Sequence, residues 1–323
     1  MEYRNLGQTG LKVSELCLGT MQFGWTADEA TSYEVMSAAW EAGVTFWDTA
    51  DVYSNWAINN PGGVAETYIG NWMRQRRIPR DQIVIATKVR GKTGPGPNDV
   101  GLSRRHIMQA VEASLRRLQT DFIDLYQTHS PDAGTPIEET LRALDHLIHQ
   151  GKVRYAGCSN YKAWQLMQAL WVSEKNGLAR FDCLQPHYSM VNRVEYEREL
   201  ESVCRTYAIG VIPYSPLGGG FLTGKYRRSQ PMPGGTRGEN SQRIKTYMTE
   251  ANMSLLGKLE SLGAARGKSI SQMALGWLLS RSGIASLIIG PRSLEQLDDN
   301  LGAVGLRLTA EEMQAIDDAS AWQ

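Results

Sequence analysis

Residues 103–159 read SRRHIMQAVEASLRRLQTDFIDLYQTHSPDAGTPIEETLRALDHLIHQGKVRYAGCS, and the fold follows from how this stretch alternates. From Ser103 onward, Ile107, Val111, Leu115 and Leu118 recur on one helical face with charged residues opposite. Ser103 suits the cap of that helix, because its hydroxyl can accept a backbone N–H that the first turn leaves unpaired. Residues 122–129 then form a short, nearly continuous apolar run. Thr135-Pro136-Ile137-Glu138 opens a second helical stretch with proline in its first turn, and Gly151 follows as its stop. Residues 153–159 are again strand-like. The repeating unit is therefore one strand followed by one helix.

Working outward, the same kind of run recurs at 16–21, 45–50, 83–88, 183–189, 210–215 and 286–290, which makes eight with the two above. Continuous hydrophobicity, as opposed to strict alternation, is what strands covered on both faces require. Regular alternation of strand and helix allows a doubly wound open sheet or a closed barrel. Eight repeats without a break in composition favour an α/β fold of the (β/α)8 TIM-barrel type, one domain over residues 1–323. Residues 3–6 and 11–13 around Gly7-Gln8-Thr9-Gly10 read as an added N-terminal β-hairpin. Two long glycine- and proline-rich loops, 90–102 and 217–250, fall after strands, on the C-terminal face of such a barrel.

Composition narrows the function. The 34 basic and 34 acidic residues give a net charge of zero, which argues against nucleic acid or an anionic membrane as the main partner. Nothing approaches the ~20 consecutive apolar residues of a membrane helix, and Met1-Glu2-Tyr3-Arg4-Asn5 is too polar for a secretory signal. Cys17, Cys158, Cys183 and Cys204 are scattered, so reduced thiols and a cytoplasmic location are expected.

In a β/α barrel the chemistry gathers where strands end and the following loops begin. The polar residues at those ends are Asp48, Lys88 and His129 on strands two, three and four, with Tyr53 in the loop leaving strand two. A buried aspartate and lysine on neighbouring strands need each other, because an unpaired buried charge is costly. A lysine beside a tyrosine is expected to lower the phenol's pKa and let it donate a proton near neutral pH. With His129 on the same oxygen, the set makes an acid and electrostatic clamp for a carbonyl that a nicotinamide would reduce.

These segments resemble the aldo-keto reductase family. Phe46-Trp47-Asp48-Thr49-Ala50-Asp51-Val52-Tyr53 is similar to the family's segment with its catalytic aspartate and tyrosine. Ile85-Ala86-Thr87-Lys88 resembles its lysine strand and Asp124-Leu125-Tyr126-Gln127-Thr128-His129 its histidine strand. The likeness runs from the hairpin to the last strand. It implies that Tyr53 is the general acid, that Asp48 and Lys88 tune it, and that His129 orients the carbonyl. It also implies a cofactor site. Thr20 and Met21 would flank it, and Ser159, Asn160 and Gln185 would hold the nicotinamide carboxamide. Tyr214 would stack on the ring, with Ser215, Pro216, Leu217, Gly219 and Lys225 around the pyrophosphate. Gly290, Arg292, Gln296 and Asn300 would take the adenosine end, with Arg237 within reach of it. Arg292 near a helix start suits a 2′-phosphate, so NADPH is the expected cofactor and a small carbonyl compound the partner.

The segment 54–63 is longer than the short turn usual in the family, and so is the loop after Lys88. Both border the substrate mouth, so the resemblance carries no particular substrate. Trp25 and Trp56 are candidates for an apolar substrate wall or for packing within their own loops. His146 and His149, three apart on a helix, lack carboxylate or cysteine support and read as a solvated face, and no metal is expected. Residues 219–225 nearly spell a Walker loop, but Tyr226 stands where a serine or threonine should hold magnesium. Neither Gly-x-Gly-x-x-Gly nor Tyr-x-x-x-Lys occurs, against a Rossmann or short-chain reductase. The expected activity is NADPH-dependent reduction of an aldehyde or ketone. A rival is an NADPH-binding regulatory subunit like the potassium-channel β subunits, and a metal-dependent barrel isomerase ranks last.

Overall fold

A computed structural model describes residues 1–58, 60–227, 230–239 and 241–322, with only the backbone described at Arg237. Ten strands occur among them: β1 (Tyr3–Asn5), β2 (Lys12–Ser14), β3 (Leu16–Gly19), β4 (Phe46–Asp48), β5 (Val84–Val89), β6 (Ile123–Thr128), β7 (Val153–Ser159), β8 (Phe181–Gln185), β9 (Gly210–Val211) and β10 (Leu287–Ile289). β3 to β10 form one parallel sheet in the order β10-β3-β4-β5-β6-β7-β8-β9. Its two edges meet. Val211 and Tyr214 bridge Ile284 and Ile288, and Ala285 N–H donates to the Val211 carbonyl at 2.8 Å. The sheet is thus a closed (β/α)8 barrel.

Strand pleating sorts the side chains. Cys17, Phe46, Ala86, Leu125, Cys183, Ile212 and Ile288 point inward and fill the barrel, while Trp47, Ile85 and Tyr126 face the surrounding helices. Two residues above this inner layer, the same period sets Asp48, Lys88 and Gln127 facing inward, with His129 a further step toward the C-terminal mouth. β1 and β2 pair as the expected antiparallel hairpin. Leu6 and Val13 from the hairpin join the inner cluster and close the barrel floor. The hairpin turn passes so near β9 that a Cβ on Gly7, whose φ is +58°, would lie 2.5 Å from the Gly210 nitrogen. Only glycine fits there at no cost.

The helix Arg104–Leu118 is capped by Ser103, whose side chain accepts from His106 N–H at 3.3 Å. The next helix, Ile137–His149, begins one residue later than expected, with Pro136 in the cap position. Several strands are shorter than their apolar runs. The expected strands 183–189 and 210–215 stop at Gln185 and Val211, because Pro186 and Pro213 offer no N–H to a ladder. Beyond them the isolated bridge His187–Tyr214 continues the pairing of β8 with β9. The run 16–21 likewise ends as strand at Gly19.

Both long loops are organised. Asp99 ties 90–102 together, accepting from Gly96 N–H at 2.9 Å. Segment 217–250 contains a distorted 3-10 turn (Gly218–Thr223), a second one (Arg237–Glu239) and a helix (Gln242–Tyr247). Among the described residues no helix is long and apolar enough to cross a membrane.

Candidate active site

Asp48, Lys88 and Tyr53 meet at the top of the inner layer. Lys88 Nζ donates to Asp48 Oδ2 at 2.6 Å, to Tyr53 Oη at 2.8 Å and to the Thr49 carbonyl at 2.9 Å. Its three protons are therefore all used, and the ammonium is fully buried. Such a pair survives burial only because every member is hydrogen-bonded. Tyr53 Oη also lies 3.4 Å from Asp48 Oδ2. The His129 ring stands edge-on to the Tyr53 ring, 5.8 Å between centroids.

The expectation for Tyr53 has to be corrected. Its phenol is pushed well above the ordinary range, first by burial and then by the Asp48 carboxylate. Lys88, bonded to both Asp48 and Tyr53, does not bring it back to the ordinary range. Tyr53 is thus a neutral phenol throughout the physiological range. His129 moves the other way, to about 3, through burial, Lys88 and Arg90. It is a neutral imidazole.

Two glutamines complete the Asp48 carboxylate. Gln185 Nε2 donates to Oδ1 at 2.8 Å and Gln127 Nε2 at 3.3 Å. Gln185, expected at the nicotinamide, therefore has its amide on Asp48 in this structure. Gln127 was not singled out from the sequence, although a polar residue two before His129 in a buried strand was signal enough.

From this cluster a cavity of about 810 Å³ runs across the mouth. It is lined by Asp48, Tyr53 and His129 at one end and by Arg292, Gln296 and Asn300 at the other. Met21, Ser159, Asn160, Tyr214, Ser215, Pro216, Leu217, Gly219, Lys225 and Gly290 line the space between them. Thr20 does not face it; the residue is buried, with its hydroxyl donating to the Asp48 carbonyl at 3.0 Å. The Arg237 side chain lies outside the described residues. Trp25 and Trp56 are also absent from the lining. They form an exposed rim instead, packed edge to face at 5.6 Å, with Trp56 6.4 Å from the Tyr53 ring.

Asn160 holds the middle of the cavity together. Its φ is +61°, its Nδ2 donates to the His129 carbonyl at 2.9 Å and its Oδ1 accepts from Tyr214 Oη at 2.9 Å. Behind Tyr214 lies His187, its ring stacked 5.1 Å away and tilted by 11°. Further along, Gly218, Gly219 and Gly220 all have positive φ, and a Cβ on Gly220 would come within 3.1 Å of Lys225 Nζ. Arg292 Nη1 donates to the Gly235 carbonyl at 2.9 Å. Its N–H donates to Gln296 Oε1 at 3.1 Å, beside the start of helix Leu294–Leu301. Sequence reasoning also missed Arg243, which lines the cavity from the helix inside the long loop.

The sequence matches the aldo/keto reductase family over residues 15–321. An uncharacterised oxidoreductase of Bacillus subtilis (strain 168) is 39% identical over 322 residues, 98% of this chain and 95% of the relative. A probable voltage-gated potassium channel subunit beta of Arabidopsis thaliana is 36% identical, with 94% of this chain and 91% of the relative aligned. A versiconal hemiacetal acetate reductase of Aspergillus parasiticus is 33% identical over 98% and 96% of the two chains. The match takes in all eight barrel strands and the polar cluster at their mouth, and by it this chain belongs to the aldo/keto reductase family of oxidoreductases.

Proposed function

We propose that the protein reduces an aldehyde or ketone to an alcohol with NADPH, Tyr53 serving as the acid. The observation that carries this is a buried neutral phenol, hydrogen-bonded to Lys88, at one end of a cavity with cationic groups at the other. The cavity fits a dinucleotide. Gly218 to Gly220 leave the backbone bare where a Cβ on Gly220 would crowd Lys225, so an anion can approach the chain closely there. When bound, the nicotinamide supplies the hydride.

The chain's own residues do the rest. Tyr53 Oη gives its proton to the carbonyl oxygen as negative charge develops on it. Lys88, 2.8 Å from that oxygen, stabilises the phenolate left behind. Asp48 holds the ammonium in place. Neutral His129 donates a hydrogen bond to the same carbonyl and fixes its angle of approach. Ser159, Asn160, Gln185 and Tyr214 would hold the nicotinamide end of the cofactor. The net change is one carbonyl and one NADPH, with a proton from solvent, converted to one alcohol and one NADP⁺.

The preference for NADPH rests on Arg292, whose guanidinium has one edge on Gly235 and stands by a helix start. Replacing Arg292 with alanine is expected to weaken NADPH binding about 10–100-fold, the range of a charge-assisted hydrogen bond, and to leave NADH binding nearly unchanged. Fluorescence titration of both cofactors checks it; equal losses for the two would remove Arg292 from the 2′-phosphate. Four buried thiols without a disulfide support a cytoplasmic setting.

NADPH consumption against a panel of aldehydes and ketones tests the main reading. Tight NADPH binding with no turnover of any carbonyl would instead favour a regulatory subunit; the Arabidopsis relative is a probable voltage-gated potassium channel subunit beta.

A further inference from the structure

The turn after β3 brings to the cavity wall two polar side chains that the cluster around Lys88 does not use. Gln22 and Thr26 both line the cavity. Thr26 Oγ1 donates to Gln22 Oε1 at 2.6 Å, which fixes the sense of the amide. Its oxygen is taken, and its NH2 group is left over. Gln22 is 7% exposed, and among the described residues Nε2 has no acceptor. A donor held so far out of water needs an acceptor, and a bound molecule in the cavity can bring one.

This turn is rigid and belongs to the reacting end of the cavity. The Gln22 carbonyl accepts from the N–H groups of Trp25, Thr26 and Ala27 at 3.1, 3.0 and 3.0 Å. On either side of Gln22, the Met21 and Phe23 carbonyls accept from Ser54 Oγ at 3.3 and 2.9 Å, and Ser54 is the chain neighbour of Tyr53. Asn60 Nδ2, further along the same loop, donates to the Gly24 carbonyl at 3.0 Å. β3 stands between β10 and β4 in the sheet, so its turn borders both the Arg292 end and the Tyr53 end. These ties come from the β4 side and hold it toward Tyr53.

We propose that Gln22 and Thr26 together bind a hydroxyl group on the substrate, so that the preferred substrates are aldehydes or ketones with a hydroxyl close to the carbonyl. A hydroxyl both donates and accepts. Gln22 Nε2 offers it a donor. Thr26 Oγ1, whose own proton is on Gln22, has lone pairs left to accept the hydroxyl's proton. An alkyl group in the same place would leave the Gln22 N–H groups unpaired and out of water, and that penalty separates the two kinds of substrate. The inference rests on the reductase reading above.

The test uses two matched pairs of aldehydes with NADPH: 2-hydroxypropanal against 2-methylpropanal, and 3-hydroxybutanal against 3-methylbutanal. Each pair exchanges a hydroxyl for a methyl of similar size. The ratio of kcat/KM within each pair is compared between the parent protein and Gln22→Leu, Thr26→Val and Thr26→Ser, so that intrinsic carbonyl reactivity cancels. In at least one pair Gln22→Leu is expected to lower the hydroxyl-to-methyl ratio about 10–100-fold, through loss on the hydroxy compound, with NADPH affinity within about 2-fold. Thr26→Val should lower the ratio less, and Thr26→Ser, which retains the hydroxyl, should keep it. Equal loss on both members of each pair would give Gln22 a structural role, and weakened NADPH binding would move it to the cofactor; either overturns the proposal. Failure of the parent protein to reduce these aldehydes or any other carbonyl would remove the reductase reading and this inference with it. Turnover by the parent at ratios that no variant changes would remove this inference alone.

Discussion

Tyr53→Phe is expected to lower kcat for carbonyl reduction by about 10²–10⁴-fold while NADPH affinity stays within about 2-fold. The change removes one oxygen, and that oxygen is the group 2.8 Å from Lys88 that faces the reacting end of the cavity. The ring, which packs against Trp56 and His129, remains. A loss confined to kcat, with the cofactor still titrating normally, marks an interaction made in the transition state. Retained turnover in this variant would take the acid away from Tyr53 and leave the mechanism without a proton source.

The direction of the Tyr53 shift adds a second readout to the same experiment. In the proposed mechanism reduction uses the phenol, whose pKa is raised by burial and Asp48. Its rate should therefore not fall through loss of that proton as pH rises toward the ordinary phenol range. Alcohol oxidation uses the phenolate as base, a minor species below the raised pKa, so its rate should climb with pH, up to about tenfold per unit. Had Lys88 lowered the phenol as the bare sequence suggests, oxidation would level off near neutrality. Parallel pH profiles of the two directions separate these cases, and Tyr53→Phe should flatten the oxidation profile.

The same residue shows what a sequence conveys and what it withholds. That Asp48, Lys88 and His129 are functional candidates is legible, because each interrupts or ends an apolar run with a group that burial alone would penalise. The pairing is legible as well, since neighbouring strands leave a buried charge few alternatives. Its electrostatic sense is not. Whether lysine's charge is spent on the aspartate or available to the phenol depends on distances of 2.6 and 2.8 Å that no pattern of letters encodes. The strands behave similarly. Apolar runs locate all eight because both faces of the sheet are covered, yet they overrun β8 and β9, where hydrophobicity continues past the prolines that end the ladder. Arg243 escaped notice for a related reason: it enters the cavity from a loop whose path has no periodicity.

Lys88→Met should cost stability as well as activity, about 3–5 kcal/mol in unfolding free energy, because it leaves the buried Asp48 carboxylate without its cation. Asp48 is 1% exposed, and the bonds left to it, from Gln127, Gln185 and Tyr53, come from neutral donors. These offset part of the penalty and do not neutralise the charge. The side chains differ little in volume, so a loss of this size is electrostatic and not the result of a cavity. Denaturant unfolding should show a lower midpoint at unchanged slope. The decisive comparison is the double variant Lys88→Met with Asp48→Asn. If the single loss reflects an orphaned carboxylate, neutralising it should recover most of the stability while turnover stays low. Additive losses would mean instead that Lys88 supports the barrel by packing alone, and that the Asp48–Lys88 pair contributes little beyond holding Tyr53 in place.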